Sequence, residues 1–427
     1  MSFDLIVRGG VLPDGRQADI AIAKGRIAAV EPGITAEAAA VIDAAGKLVS
    51  PPFIDAHFHM DSALSYGRPR VNASGTLLEG IALWGELKRI QTREDIIARA
   101  LEYCREAMGR GVLAIRSHVD VTDPAFHTVE ALLEVRDRIK GMMDLQLVAF
   151  PQDGWFRAPG GSAQVIRALD AGVDVVGGIP HFERTMADGA EAVRAACRLA
   201  AERGLMVDLH CDESDDPLSR HIETLAAETL VHGLQGRVAG SHLTSMHSMD
   251  NYYVSKLIPL IAEAGVAAIP NPLINITLQG RSDTYPKRRG MTRVPELLAA
   301  GVTVAFGQDC VKDPWYPLGS GDMLDVAHMG LHVGLMTSPT AMRSCFDMVT
   351  AAPARILGLD FGLHPGARGS LVVLDCADPI EALRLRPARL AVISDGSVVA
   401  RSEPMRMAVQ PFGGGGPANS SSGRKMP

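Results

Sequence analysis

Two histidines stand two residues apart in the run FIDAHFHM (53–60), at His57 and His59. In an extended chain, residues two apart point to the same side, so both imidazoles can grip one ion while Phe58 turns away. A third imidazole, His210, closes the run GLMVDLHCDE (204–213), and the carboxylate Asp309 closes GVTVAFGQDC (301–310). Three imidazoles and one carboxylate suit a single first-row divalent ion, Zn2+ or Fe2+, with a position left for water. Such an ion lowers the pKa of its water and makes hydroxide available near neutrality. The plain alternatives are a packed His210 and an Asp309 that caps a helix; all four would have to coincide. Glu213, three residues after His210, is the best proton shuttle, because it lies beside a ligand without being needed to complete the set. His242, in GRVAGSHLTS (236–245), could orient or deprotonate the water, or be a hydrogen-bonded core histidine.

These residues need elements that bring them to one place. FIDAHFHM and seven later apolar runs, at 111–120, 143–152, 172–181, 204–213, 236–245, 265–274 and 301–310, alternate with amphipathic stretches such as DGAEAVRAACRLAAERG (188–204). Continuous apolar strands with intervening helices indicate a parallel sheet, and eight such units over about 300 residues suggest a (β/α)8 barrel. Polar residues gather at the C-terminal end of the runs: His57 and His59, His118, Gln152, His181, His210 and Glu213, His242, and Asp309. In a barrel those ends converge on one mouth. Residues 1–50 and 351–410 carry short apolar runs broken at Gly and Pro. They are expected to pack together as a small β-sandwich-like domain, with the barrel over 51–350. The segment PFGGGGPANSSSGRKMP (411–427) has little to bury and is expected to be a disordered tail.

Composition narrows the class. With 427 residues, 47% of them hydrophobic, the chain can fill one large core and a smaller one. A formal net charge of -7 argues against a nucleic-acid surface. The six cysteines are scattered with no C-x-x-C pair, which suggests a reducing compartment rather than a disulfide framework. No signal peptide or membrane span is expected, so the reading is a cytoplasmic protein.

Several strings are long and chemically unusual: SGTLLEGI (74–81), SHVDVTDP (117–124), LQLVAFPQDG (145–154), DVVGGIPHFE (174–183), DLHCDESDD (208–216), SHLTSMHS (241–248) and NPLINITLQGRSDTYPKRRGMTRV (271–294). With DPWYPLGSGDML (313–324), they make the chain resemble the amidohydrolase superfamily, and within it bacterial cytosine deaminases, over about residues 50–335. The resemblance implies that His57, His59, His210 and Asp309 hold one metal ion, Glu213 shuttles protons and His242 acts on the bound water. It implies that Gln152 reads the amide edge of a pyrimidine, that the reaction releases ammonia, and that the chain forms a homo-oligomer. No lysine lies in the strand-end run 143–152, which agrees with a mononuclear centre. Trp315 could wall the pocket or simply pack, and His181 and Asp283 are expected to stand outside the chemistry.

The chain departs from that resemblance next to a ligand. Cytosine deaminases carry a string like G-H-D-D, whereas this sequence reads Gly307-Gln308-Asp309-Cys310. Cys310 replaces a charged acceptor with a smaller, softer wall. Candidate substrates are then 5-substituted cytosine, isocytosine, or a triazine of the ammelide type, including its dealkylamination. A cyclic amide or amidine opened by the same metal hydroxide also remains.

Overall fold

The computed structural model describes residues 3–405 and 407–409; the expected tail at 411–427 lies outside the described residues. The first five strands are β1 (Phe3–Val11), β2 (Gln17–Ala23), β3 (Arg26–Glu31), β4 (Ala38–Asp43) and β5 (Leu48–Ser50). Seven barrel strands follow: β6 (Phe53–Phe58), β7 (Val112–Asp120), β8 (Asp144–Phe150), β9 (Val175–Gly178), β10 (Met206–Cys211), β11 (Val238–His242) and β12 (Ala267–Ile269). The last three are β13 (Leu371–Leu374), β14 (Arg389–Ser394) and β15 (Ser397–Ala400).

The N- and C-terminal strands join in one mixed sheet, ordered β15-β14-β13-β5-β1-β2-β3, with β4 parallel to β1. The seam is antiparallel, Val373 opposite Val49. Its core draws Leu5, Val7, Ile20 and Ile22 from one end of the chain and Leu371, Val373 and Ile393 from the other. Neither end has enough apolar surface alone, so the two complete each other.

Strands β6 to β12 are all parallel and hydrogen-bonded in chain order, forming an almost closed, distorted (β/α)8 barrel. Every residue of β7 is buried, as expected for a strand covered on both faces. The eighth run, 301–310, closes the barrel as a looser element: single bridges pair Val304 with Ala268 and Asp309 with Phe58. A continuous ladder is interrupted because Pro270, on the neighbouring segment, has no N–H to give and only accepts from Gly307. Helix Leu77–Leu87, capped by Thr76 and carrying Glu79 in a capping-box position, lies over the mouth. Helix Pro272–Leu278 follows β12 directly and shares that roof through Ile274 and Leu278.

Inside the barrel, away from the mouth, Arg116 is fully buried. It donates to Asp208 at 2.9 Å, Gln146 at 2.7 Å and the Ile356 carbonyl at 3.2 Å, while Ser241 donates to the other Asp208 oxygen at 2.7 Å. Ile356 belongs to helix Ala351–Leu357, which packs with Ile54, Ala114, Ala239 and Ala305 inside the barrel. Arg116→Leu leaves Asp208 buried without its cation and is expected to cost about 3–5 kcal/mol of unfolding free energy. Arg116→Leu combined with Asp208→Leu is expected to recover most of that loss. Urea denaturation checks it, and equal losses in the single and double variants would contradict it.

Candidate active site and metal centre

The strand ends meet in a pocket of about 330 Å³ lined by His59, Phe150, Gln152, Ile179, His210, Glu213, His242, Asp309, Cys310 and Trp315. Leu77, Ile274 and Leu278 from the two roof helices close it. His57 sits beneath, completely buried. Every residue that the sequence singles out for metal or substrate therefore reaches one place. His181 stands behind it, with Nδ1 2.9 Å from the His210 carbonyl. Asp283 is elsewhere, paired with Arg288 on the surface.

Backbone conformation aims these side chains. Asp212, His242 and Asp309 all have left-handed φ, at 54°, 68° and 68°. Such residues cost about 1–3 kcal/mol each unless their surroundings enforce them. Asp212 is held by four donors: the Ser219 hydroxyl, the His221 N–H and ring, and the Ile222 N–H. Its side chain is thereby turned outward and Glu213 inward. Asp309 donates its N–H to the His57 carbonyl at 2.8 Å and accepts from the His59 N–H at 3.0 Å, which ties the eighth segment to the H-x-H strand.

The donor atoms crowd without satisfying one another. His59 Nε2 and His210 Nε2 are 3.0 Å apart, and Asp309 Oδ1 is 3.5 Å from Nε2 of both His57 and His59. Both ring nitrogens of His57, and Nδ1 of His210, are buried with no hydrogen-bond partner. Ligand atoms about 2.0–2.2 Å from a common tetrahedral centre stand about 3.3–3.6 Å apart, so the spacing fits a single first-row ion. Burial pushes the His59 imidazole down to about 4 and holds His210 well below its ordinary value, which favours neutral rings with one lone pair each to offer. Burial works against the Asp309 charge, but His57 and His242 beside it keep the carboxyl below its usual range. The chain thus has a preformed His/Asp cluster for one divalent metal ion. Overlapping triads also include His57 with His210 and His242, and a deeper one of His57, His118 and Asp208.

Around this cluster the polar groups differ in state. Burial, reinforced by the Asp309 charge, raises the Glu213 carboxyl well above its usual range, which favours the protonated acid. Burial likewise pushes the Cys310 thiol well up, so it stays a thiol, 3.6 Å from Asp309 Oδ1. Gln152 is 4% exposed and faces the pocket.

Two asparagines have no role in the sequence reading. Asn275 Oδ1 accepts the Asn271 backbone N–H at 2.9 Å, which fixes the orientation of its amide. Its Nδ2 then faces His242 Nδ1 at 2.9 Å as a donor, so Nδ1 accepts and the ring proton belongs on Nε2. Burial holds His242 well below its ordinary value, consistent with a neutral ring. Asn271 Nδ2 donates to Asp309 Oδ2 at 3.3 Å. The signal lay in NPLIN, where asparagines at i and i+4 share one face of a helix that starts at a strand end.

Residues 40–400 match the model of an amidohydrolase family. The chain belongs to the amidohydrolase family. It is similar to the crystal structure of 5-methylcytosine deaminase from Klebsiella pneumoniae liganded with 5-fluorocytosine. The identity is 40% and the TM-score 0.92, over 95% of this chain and 99% of that one. It is 30% identical to N-isopropylammelide isopropyl amidohydrolase of Pseudomonas sp. strain ADP, over 94% of this chain and 98% of the relative. It is 31% identical to pterin deaminase of Rhizobium rhizogenes, over 91% of this chain and 89% of the relative.

Within this amidohydrolase site, Asn275→Asp places an acceptor against His242 Nδ1 and forces the opposite tautomer. Turnover is expected to fall about 100-fold or more with metal content and fold unchanged. Steady-state kinetics with metal analysis checks it; near-normal turnover would show that the tautomer does not matter.

Proposed function

We propose that the protein is a metal-dependent aminohydrolase that replaces the 4-amino group of a 5-substituted cytosine by a carbonyl and releases ammonia. The observation that carries this is the meeting of Gln152, Glu213 and Cys310 around the His/Asp cluster in one buried pocket. The 40% identity to a 5-methylcytosine deaminase supports the same substrate class.

The residues divide the work. His57, His59, His210 and Asp309 would hold the ion, Zn2+ or Fe2+. When bound, the ion supplies a water acidic enough to act as a nucleophile near neutral pH. Gln152 presents one donor and one acceptor, which match the lactam C=O and N–H of a pyrimidine. Glu213, kept protonated by burial, gives its proton to the ring nitrogen beside the amine. The resulting carboxylate takes the proton of the hydroxyl that has added to the ring carbon and passes it to the departing nitrogen, so a carbonyl forms and ammonia rather than amide leaves. His242, with its proton on Nε2, acts as a hydrogen-bond donor that stabilises charge developing on oxygen. Cys310 gives the 5-position a small apolar neighbour. No helix among the described residues is long and apolar enough to cross a membrane. A cytoplasmic location and a homo-oligomeric state belong to this proposal.

A second reading is removal of an alkylamine from a triazine, supported by the 30% identity to the isopropylammelide hydrolase. Product analysis over cytosine, 5-methylcytosine, isocytosine and N-alkyl ammelides separates the two. Ammonia with an intact pyrimidone is expected, fastest from 5-methylcytosine. Alkylamine as the favoured product would establish the second reading, and a ring-opened carboxylate would exclude both. Glu213→Gln is expected to keep about one metal ion per chain while losing at least about 100-fold in turnover; a near-normal rate would remove Glu213 from its role.

A further inference from the structure

Trp315 forms one wall of the pocket, and what stands behind it is a glycine. Gly80 lies inside helix Leu77–Leu87, where glycine is a poor helix former and no positive φ requires it. A Cβ at this position would lie 2.3 Å from Trp315 Cδ1, 2.6 Å from Nε1 and 2.8 Å from Cγ. The five-membered edge of the indole therefore rests directly on the helix backbone.

The indole has little freedom to retreat in any other direction. Its backbone N–H donates to Asp313 Oδ1 at 2.9 Å, and Asp313 Oδ2 accepts from the Ser62 hydroxyl at 3.1 Å. To one side is Trp84, with ring centroids 6.2 Å apart. Trp84 is itself pinned, its Nε1–H donating to Asp120 Oδ2 at 2.7 Å, where the Lys88 ammonium also donates at 3.2 Å. Trp315 and Cys310 belong to the same small apolar cluster as Ile81, Trp84, Ile274 and Leu278. The open direction is towards the pocket, where His59 faces the indole at 6.2 Å between centroids.

We propose that Gly80 is a specificity-determining residue: by carrying no side chain it lets Trp315 sit back far enough for the pocket beside Cys310 to admit a substituted ring. Gly80 does not touch substrate; it acts through Trp315. The Trp84–Asp120–Lys88 chain holds the same wall laterally, which gives Asp120 a positioning role although it ends a barrel strand. The proposal rests on the cytosine-deaminase reading for its choice of substrates, but the position of the wall does not.

The test uses the metal-loaded enzyme and the variants Gly80→Ala, Trp315→Ala and the two combined. In Gly80→Ala the added methyl drives the indole into the pocket. The kcat/KM for 5-methylcytosine is expected to fall about tenfold or more, carried by KM, with a smaller fall for cytosine. Trp315→Ala removes Cγ, Cδ1 and Nε1, the three atoms the methyl would strike, so adding Gly80→Ala to Trp315→Ala is expected to change kcat/KM for either ring by less than about twofold. A merely structural glycine would lower thermal stability and both substrates' kcat/KM in parallel, by the same factor with or without the Trp315 side chain, and that outcome would overturn the proposal. Turnover of both rings within twofold of the parent would overturn it too. If the parent turns over neither ring, the activity reading fails by itself, and the crystal structure of Gly80→Ala decides the wall. An indole displaced towards His59 supports the proposal; an unmoved indole with a shifted helix overturns it.

Discussion

Three imidazoles and a carboxylate, all buried, point nitrogen and oxygen lone pairs at one another across 3.0–3.5 Å. Groups of that kind share a dry space poorly on their own terms, and both His57 ring nitrogens and His210 Nδ1 are left without a hydrogen-bond partner. A divalent cation would satisfy these lone pairs together, and the rest of the architecture holds them in position. The barrel supplies rigid strand ends. The bond pair between Asp309 and the H-x-H strand closes the ring of ligands. Left-handed residues at Asp212, His242 and Asp309 turn the chain sharply enough to aim side chains from successive strands at one point.

The same burial sets the chemistry of the groups beside the cluster. A carboxyl next to Asp309 in a pocket roofed by Leu77, Ile274 and Leu278 is raised well above its usual range, which favours its protonated form. An imidazole whose Nδ1 must accept from Asn275 becomes a donor at its other nitrogen. In the proposed reaction both groups donate, Glu213 a proton and His242 a hydrogen bond, and both owe this to environment rather than to residue type. The charged network of Lys88, Asp120 and Asp153 lies behind the aromatic wall, where it anchors Trp84. Its energy goes into the shape of the pocket.

Much of this was legible in the residue order, because parallel strands buried on both faces leave uninterrupted apolar runs and their polar residues accumulate at one end. His57 and His59 follow from a period of two, and His210, Gln152, His242 and Asp309 from their place at run ends. Other features depend on closure of the barrel and could not be read locally. Arg116 interrupts an apolar run as a surface residue would, yet it points inside, where Asp208 from a strand 92 residues later awaits it. The eighth strand reads like the others, but Pro270 on its neighbour denies it a full ladder. Gly80 looks like a weak point in a helix until Trp315, from the far end of the barrel, is seen to rest on it. Asn275 is marked in sequence only by its i, i+4 spacing from Asn271, since its partners are a backbone N–H and a ring brought there by a different strand.

These strand ends would hold one ion through His57, His59, His210 and Asp309, with His242 and Glu213 free to work. Anomalous diffraction from crystals of the metal-loaded protein, collected across the zinc and iron absorption edges, tests it most directly. A single peak per chain is expected within about 2.0–2.2 Å of one nitrogen from each of the three histidines and of an Asp309 oxygen. A peak bonded to His242 or Glu213, a second ion in the deeper His57–His118–Asp208 cluster, or no bound metal at full occupancy would contradict it.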